Sequence, residues 1–282
     1  MPDLATREGL EEVLAVTRDV AREAATIVAA GFRKNPTVEH KGAVDLVTRF
    51  DRESEAHVRR RLGDAFPFAV VGEEEGGSAA LGDDVAFYVD PLDGTTNFVH
   101  GHPFWCVSIG LVVADRPVLG VVLSPPLGLE WFGWVTAQEQ RAVRRHIHTG
   151  DEEPSLVSQR TEFGESLLAT GFPYDRRTNP EESNFEAFVA IKLRCQAVRR
   201  CGSAALDLCL VADGTYDGYW ERKLRPWDVA AGAAIVRASG GLVTDFDGGS
   251  RFLETGQIIA TNGFIHTTLA TELAEVHSRS RA

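Results

Sequence analysis

The chain has 282 residues and a mass of 30.7 kDa, which excludes a peptide module and fits one large domain or two tightly joined ones. Hydrophobic residues make up 44% and charged residues 25%, the balance of a soluble globular protein. The formal net charge of −12 argues against a nucleic-acid scaffold, which needs a concentrated positive field, but a small phosphorylated substrate remains possible if metal ions supply positive charge.

Asp3, Arg7, Glu8, Glu11 and Glu12 stand where the apolar run of a signal peptide would be. Residues 4–30 read as an amphipathic helix, with Leu10, Val13, Leu14, Val20, Ile27 and Val28 at roughly helical spacing and Gly31 as the stop. A loop follows through Pro36 to Gly42, then a second helix over 45–62, with Arg59, Arg60 and Arg61 on its solvated face. Strands are expected at 68–71, 85–89, 104–113, 117–123 and 129–135. The short gaps between the later ones imply hairpins, in a sheet covered by the two early helices. Thr149 to Pro154 is polar and turn-rich, a plausible boundary between an N-terminal unit (1–150) and a C-terminal one (151–282). Beyond it, helices are expected near 163–169, 183–193, 203–212 and 227–238. Strands are expected near 155–158, 196–199, 216–219, 241–244 and 257–260. The four cysteines, Cys106, Cys195, Cys201 and Cys209, match no zinc pattern. The longest apolar stretches are strand-sized, so a cytoplasmic protein with no membrane span is expected.

The acidic residues that carry chemistry lie at expected strand ends and helix starts. Asp90 and Asp93 flank the stiff Pro91. Glu73 and Glu74 end the preceding strand, Asp51 sits in the second helix, and Asp228 opens a late one. Gathering carboxylates is costly unless cations occupy the centre, and an all-oxygen set suits Mg²⁺ or Mn²⁺ rather than zinc. Gly94, Thr95 and Thr96 follow Asp93 directly and can offer backbone N–H groups to phosphate oxygens. Together these features point to metal-assisted phosphoryl chemistry.

The segment Asp90-Pro91-Leu92-Asp93-Gly94-Thr95-Thr96-Asn97-Phe98 resembles the first signature of the inositol monophosphatase family, and Trp227-Asp228-Val229-Ala230-Ala231-Gly232 resembles the second. Lys41, Asp45 to Thr48, Asp51, Gly72-Glu73-Glu74, Gly202-Ser203-Ala204 and Glu221 fall in the family's order between and around them. The resemblance spans roughly residues 10–265. It implies an α/β fold in αβαβα layers, like the sugar phosphatases, with the metal site between two closely packed sub-domains. It also implies a homodimer, Mg²⁺ dependence through two or three ions (with Mn²⁺ as a substitute) and lithium inhibition.

The resemblance assigns Glu73, Asp90 and the Leu92 carbonyl to a first metal, and Asp90, Asp93 and Asp228 to a second. A third, weaker ion is placed near Glu73. Thr95 is expected to orient the attacking water with its hydroxyl engaged by Asp51, and the N–H groups of Gly94 and Thr95 to grip phosphate. Asp93, Gly202, Ser203, Ala204 and Glu221 would face the organic half, and a water near Asp228 would protonate the leaving group. Glu74 is expected in a supporting place. Lys41 is either a closing-loop residue or an exposed lysine.

The expected reaction is hydrolysis of a phosphate monoester by direct in-line attack of water, with myo-inositol 1-phosphate as the leading substrate. Histidinol phosphate and other polyol or sugar phosphates stand as alternatives, as does an interaction protein without turnover. The segment Thr136 to Arg145, followed by His146 and His148, departs from the family's glycine-rich hairpin. It reads either as a changed surface hairpin or as a change in dimer packing or substrate entrance.

Overall fold

The computed structural model describes residues 1–34, 37–40, 46–75, 85–179 and 182–280. The first helix, α1 (Arg7–Ala29), starts where the Thr6 side chain accepts the Gly9 N–H, and it buries Leu10, Val13, Leu14, Val20 and Val28 along one face. Strands β1 (Val38–His40) and β2 (Leu46–Thr48) pair antiparallel. The second helix, α2 (Arg49–Ala65), therefore starts later than the expected 45. Thr48 and Asp51 form a reciprocal capping box that fixes its first turn.

A seven-stranded sheet follows in the order β3-β4-β5-β6-β7-β8-β9. It comprises β3 (Ala69–Gly72), β4 (Val85–Asp93), β5 (Cys106–Val113), β6 (Arg116–Ser124), β7 (Leu129–Val135), β8 (Gln140–His146) and β9 (Glu152–Pro154). Only β3 and β4 pair in parallel; the other neighbours are antiparallel. The 136–145 segment thus forms the turn and most of the outgoing strand of the β7–β8 hairpin. Residues 155–158, expected as a strand, leave the ladder after a last bond from the Ser155 N–H to the Ala142 carbonyl. Ser155 Oγ donates to the Ala212 carbonyl and the Val157 N–H to that of Ser239, so this stretch is tied to the second half.

That half holds β10 (Leu167–Thr170), α4 (Phe185–Lys192), β11 (Ala197–Arg199), α5 (Ala204–Ala212), β12 (Gly218–Arg222), α6 (Pro226–Ala238), β13 (Leu242–Thr244), α7 (Phe252–Thr255), β14 (Gln257–Thr261) and α8 (His266–Ser280). Its five strands run β11-β10-β12-β14-β13. The helix expected over 163–169 is instead one 3-10 turn (Phe163–Glu165) followed by β10, held in parallel between β11 and β12. A short apolar run is ambiguous between helix and strand, and pairing on both sides decides it here. The last helix, α8, was not expected. Its pattern of Leu269, Leu273 and Val276, all buried, is nevertheless visible at helical spacing.

Three apolar cores fill the four interfaces of five layers, the core around α5 and α6 filling two of them, in an αβαβα arrangement of two sheet-containing sub-domains flanked by helices. Phe87 and Val89 of β4 pack with Leu10, Val13, Val58 and Leu62 of α1 and α2. Ala86 and Tyr88, on the opposite face, join Leu206, Leu208, Ala230 and Ile235 of α5 and α6. Ile191, Leu269 and Leu273 cover the far face of the second sheet around Trp220. The strand period of two puts alternate residues into different cores, so the α5–α6 layer serves both sheets.

Gly110 and Gly120 are cross-strand partners beneath α6. A Cβ on Gly120 would lie 2.2 Å from the Ala231 carbonyl oxygen, and one on Gly110 2.5 Å from the Ala231 nitrogen. Gly120→Val is therefore expected to lower stability by about 3 kcal/mol, read from the urea unfolding midpoint. An unchanged midpoint and slope would discard this seating of α6. No helix among the described residues is long and apolar enough to cross a membrane.

Candidate active site

Strand β4, next to the edge strand β3, carries its last carboxylates out of register. Asp90 faces Ser108 on β5 and Asp93 faces Cys106, with an irregularity between them at Pro91 and Leu92. The chain then turns through Gly94, whose φ is +95°, into α3 (Thr95–Val99). A side chain at 94 would be strained, and its Cβ would lie 2.8 Å from the Phe104 carbonyl oxygen.

This turn opens on a cleft of about 520 Å³ between the two sheets. From the first half it is lined by Glu73, Asp90, Leu92, Asp93, Gly94 and Thr95, and from the second by Gly202, Ser203, Ala204, Glu221 and Asp228. Residues from distant parts of the sequence thus share one cavity. Asp51 stands one step behind it, where Oδ1 accepts the Thr95 hydroxyl at 3.2 Å. That hydroxyl also lies 3.0 Å from the Leu92 carbonyl oxygen. Glu74 is not on the cleft wall, and its N–H donates to Glu55. Lys41 lies outside the described residues.

Each central carboxylate is engaged by backbone on one oxygen. Asp90 Oδ1 accepts the Leu92 N–H at 2.9 Å, and Asp228 Oδ2 the Arg225 N–H at 2.6 Å. Asp93 Oδ2 accepts the Ser203 hydroxyl and the Ala205 N–H, both at 2.7 Å, which closes the start of α5. Burial raises the pKa of all three: Asp93 to about 6, with Asp90 and Asp228 also pushed up. For Asp90, the charges of Glu73, Asp93 and Asp228 push in the same direction. Burial also raises Asp51, against its bonds from Thr48, and Glu221 to about 7.

Among the described residues no three carboxyl groups converge closely enough to cage an ion as they stand, in keeping with the pull of backbone N–H groups on Asp93 and Asp228. The carboxylates are nevertheless near enough to raise one another's proton affinity. An acidic, all-oxygen donor set of this kind, with the Leu92 carbonyl beside it, fits a hard divalent cation. Mutual repulsion of this kind is relieved by positive charge at the centre.

Sequence reading gave no role to three residues that shape the cleft. Glu55 is fully buried, accepts the N–H groups of Glu74 (2.7 Å) and Glu75 (3.0 Å) and pairs with Arg59, so it anchors the turn bearing Glu73. Its one sequence signal is its place four residues after Asp51 on the same helix face. Asn97 Nδ2 bridges the carbonyls of Phe104 (2.7 Å) and Cys201 (2.9 Å), tying the Gly94–Thr95 turn to the opposite wall. Tyr219 donates its hydroxyl to Glu221 Oε2 at 2.6 Å and orients that carboxylate.

A profile of the inositol monophosphatase family matches residues 9–278. The chain is 42% identical over 267 residues to an inositol-1-monophosphatase of Synechocystis sp., covering 91% of this chain and 88% of that protein. It is 37% identical over 254 residues to the Nus factor SuhB of Haemophilus influenzae, covering 89% and 91%. Among solved structures, the inositol monophosphatase of Anabaena (Nostoc) sp. PCC 7120 superimposes with a TM-score of 0.83 at 36% identity, covering 94% of this chain and 96% of that one. With the ordered acid series and the shared architecture, these likenesses place the chain in the inositol monophosphatase family.

Proposed function

We propose that the chain is an Mg²⁺-dependent phosphatase that hydrolyses phosphate monoesters, myo-inositol 1-phosphate first among them. The observation that carries this reading is the meeting of Glu73, Asp90, Asp93 and Asp228 with the Asp51-held Thr95 hydroxyl in one cleft. Glu73, Asp90 and the Leu92 carbonyl would hold one Mg²⁺ and Asp90, Asp93 and Asp228 a second, with a weaker third site near Glu73. Magnesium bound there supplies positive charge to the phosphoryl oxygens and lowers the pKa of water.

The chain's own groups provide the positioning. The Thr95 proton is directed to Asp51 or the Leu92 carbonyl, which leaves the oxygen lone pairs to accept from the attacking water and aim it. The N–H groups of Gly94 and Thr95 grip phosphate. Ser203 and Ala204 form the facing wall, and Glu221, held by Tyr219, accepts from a hydroxyl of the organic group. A water beside Asp228 protonates the departing oxygen. Lithium inhibition belongs to the same proposal, as a competing cation at the acidic centre. So does a homodimer: Phe185 and Val189 of α4 and Leu193, which caps its C-terminus, stand 49%, 57% and 82% exposed at a spacing of four residues, an apolar stripe suited to a second copy.

The direct test is phosphate release, as kcat/KM with Mg²⁺, from inositol 1-phosphate, histidinol phosphate, fructose 1,6-bisphosphate and adenosine 3′,5′-bisphosphate. Inositol 1-phosphate is expected to lead by about tenfold, or ~1.4 kcal/mol at the transition state. A different leading ester would move the substrate and keep the reaction, whereas no magnesium-dependent turnover would defeat the proposal. Thr95→Ala is expected to lower kcat about a hundredfold with magnesium affinity retained. A change confined to KM would remove Thr95 from the positioning of water.

A further inference from the structure

The turn from β12 to α6 forms one lip of the cleft, and Lys223 in it lines the cavity beside Glu221. Its φ is 61°, in the left-handed region that glycine enters freely and long side chains seldom adopt. A lysine kept there, at the edge of a binding cavity, points to work done by the side chain. The ammonium lies 2.6 Å from Asp175 Oδ2 and 2.7 Å from Glu182 Oε2.

Both acids belong to the opposite lip. Asp175 sits in the turn that brings Phe172, Pro173 and Tyr174 to the cleft wall. Its carbonyl accepts the N–H groups of Thr178 (2.9 Å) and Asn179 (2.8 Å), and Asn179 Nδ2 donates to Glu182 Oε2 at 2.8 Å. The two carboxylates are thus parts of one hydrogen-bonded unit, and a single ammonium joins it to the lip that bears Glu221.

We propose that Lys223 is a specificity-determining residue: it pins the 172–179 turn across the organic end of the cleft and so limits the size of the alcohol portion admitted. The proposal rests on the phosphatase reading above. Two carboxylates already neutralise the ammonium, so it has no spare charge for a second anionic group on the ester. Its part is to set how much room the alcohol portion finds.

Two variants remove the pin from opposite sides. Lys223→Gly suits the left-handed backbone, and the double variant Asp175→Asn, Glu182→Gln leaves β12 untouched. The ratio of kcat/KM for adenosine 5′-monophosphate to that for glycerol 2-phosphate is expected to rise about fivefold in both, ~1 kcal/mol. Amide hydrogen exchange over 173–179, measured without substrate, is expected to quicken about threefold in Lys223→Gly, the scale of a partly exposed ion pair. An unmoved ratio in both variants overturns the proposal. Opposite shifts also overturn it, because they would make the ammonium a direct contact of the ester. Wild-type protein inactive on both esters and on inositol 1-phosphate overturns the phosphatase reading and the selectivity with it. Exchange needs no turnover, and an unchanged rate would show that no pin exists.

Discussion

Asp93→Asn is expected to lower kcat/KM about a thousandfold, ~4 kcal/mol of transition-state stabilisation, at magnesium levels that saturate the wild type. The oxygen of Asp93 that accepts from Ser203 and Ala205 can be replaced by the amide oxygen of asparagine. The NH₂ group then faces the cleft, a donor where a lone pair and a negative charge are needed. The start of α5 keeps its acceptor while the proposed cation site would lose a ligand. The metal-free variant should therefore melt no lower than wild type, since a buried carboxylate repelled by its neighbours has become neutral. Calorimetric titration with magnesium should show weakened binding. Wild-type turnover under matched magnesium would rule out Asp93 as a ligand.

The stabilisation conferred by magnesium is expected to grow with pH between about 4 and 8. Folding raises the proton affinity of Asp90, Asp93 and Asp228, so the folded chain binds protons more tightly than the unfolded one. That advantage is fully present below the unfolded value of 3.8 and is lost as pH rises through the folded values, near 6 for Asp93. Metal-free protein thus loses this share of its stability across the window. Cations compete with protons for the same oxygens, so the rise in Tm on adding magnesium should be small near pH 5 and several degrees larger near pH 8. An increment independent of pH would separate the cation site from these three carboxylates.

Most of the acid series was legible in sequence because its members sit at local breakpoints, Asp90 and Asp93 around Pro91 and Asp228 after Pro226, while Asp51, read inside the second helix, was singled out by the family's order. Turn and cap chemistry writes itself into neighbouring residues, and the family resemblance supplied the layered fold. The hairpins from β5 to β7 were legible from the short gaps between apolar runs rich in Val, Ile, Phe and Trp. What was hidden depends on partners far along the chain. Leu167–Thr170 becomes a strand through pairing on both sides. Asn97 acts through the carbonyl of Cys201, which no side-chain pattern announces. Glu55 looks like any acid on a charged helix until the backbone of Glu74 and Glu75 reaches it.

The capping of α5 by Asp93 and of the first turn of α6 by Asp228 bears on how the molecule assembles. Aligned peptide dipoles leave about half a positive charge at a helix start. Two of the most crowded carboxylates therefore meet a built-in counter-charge before any ion arrives. In zinc modules the ion itself drives folding. Here the middle layer can form around the acidic centre first, so that a chain already folded would take up the proposed cation.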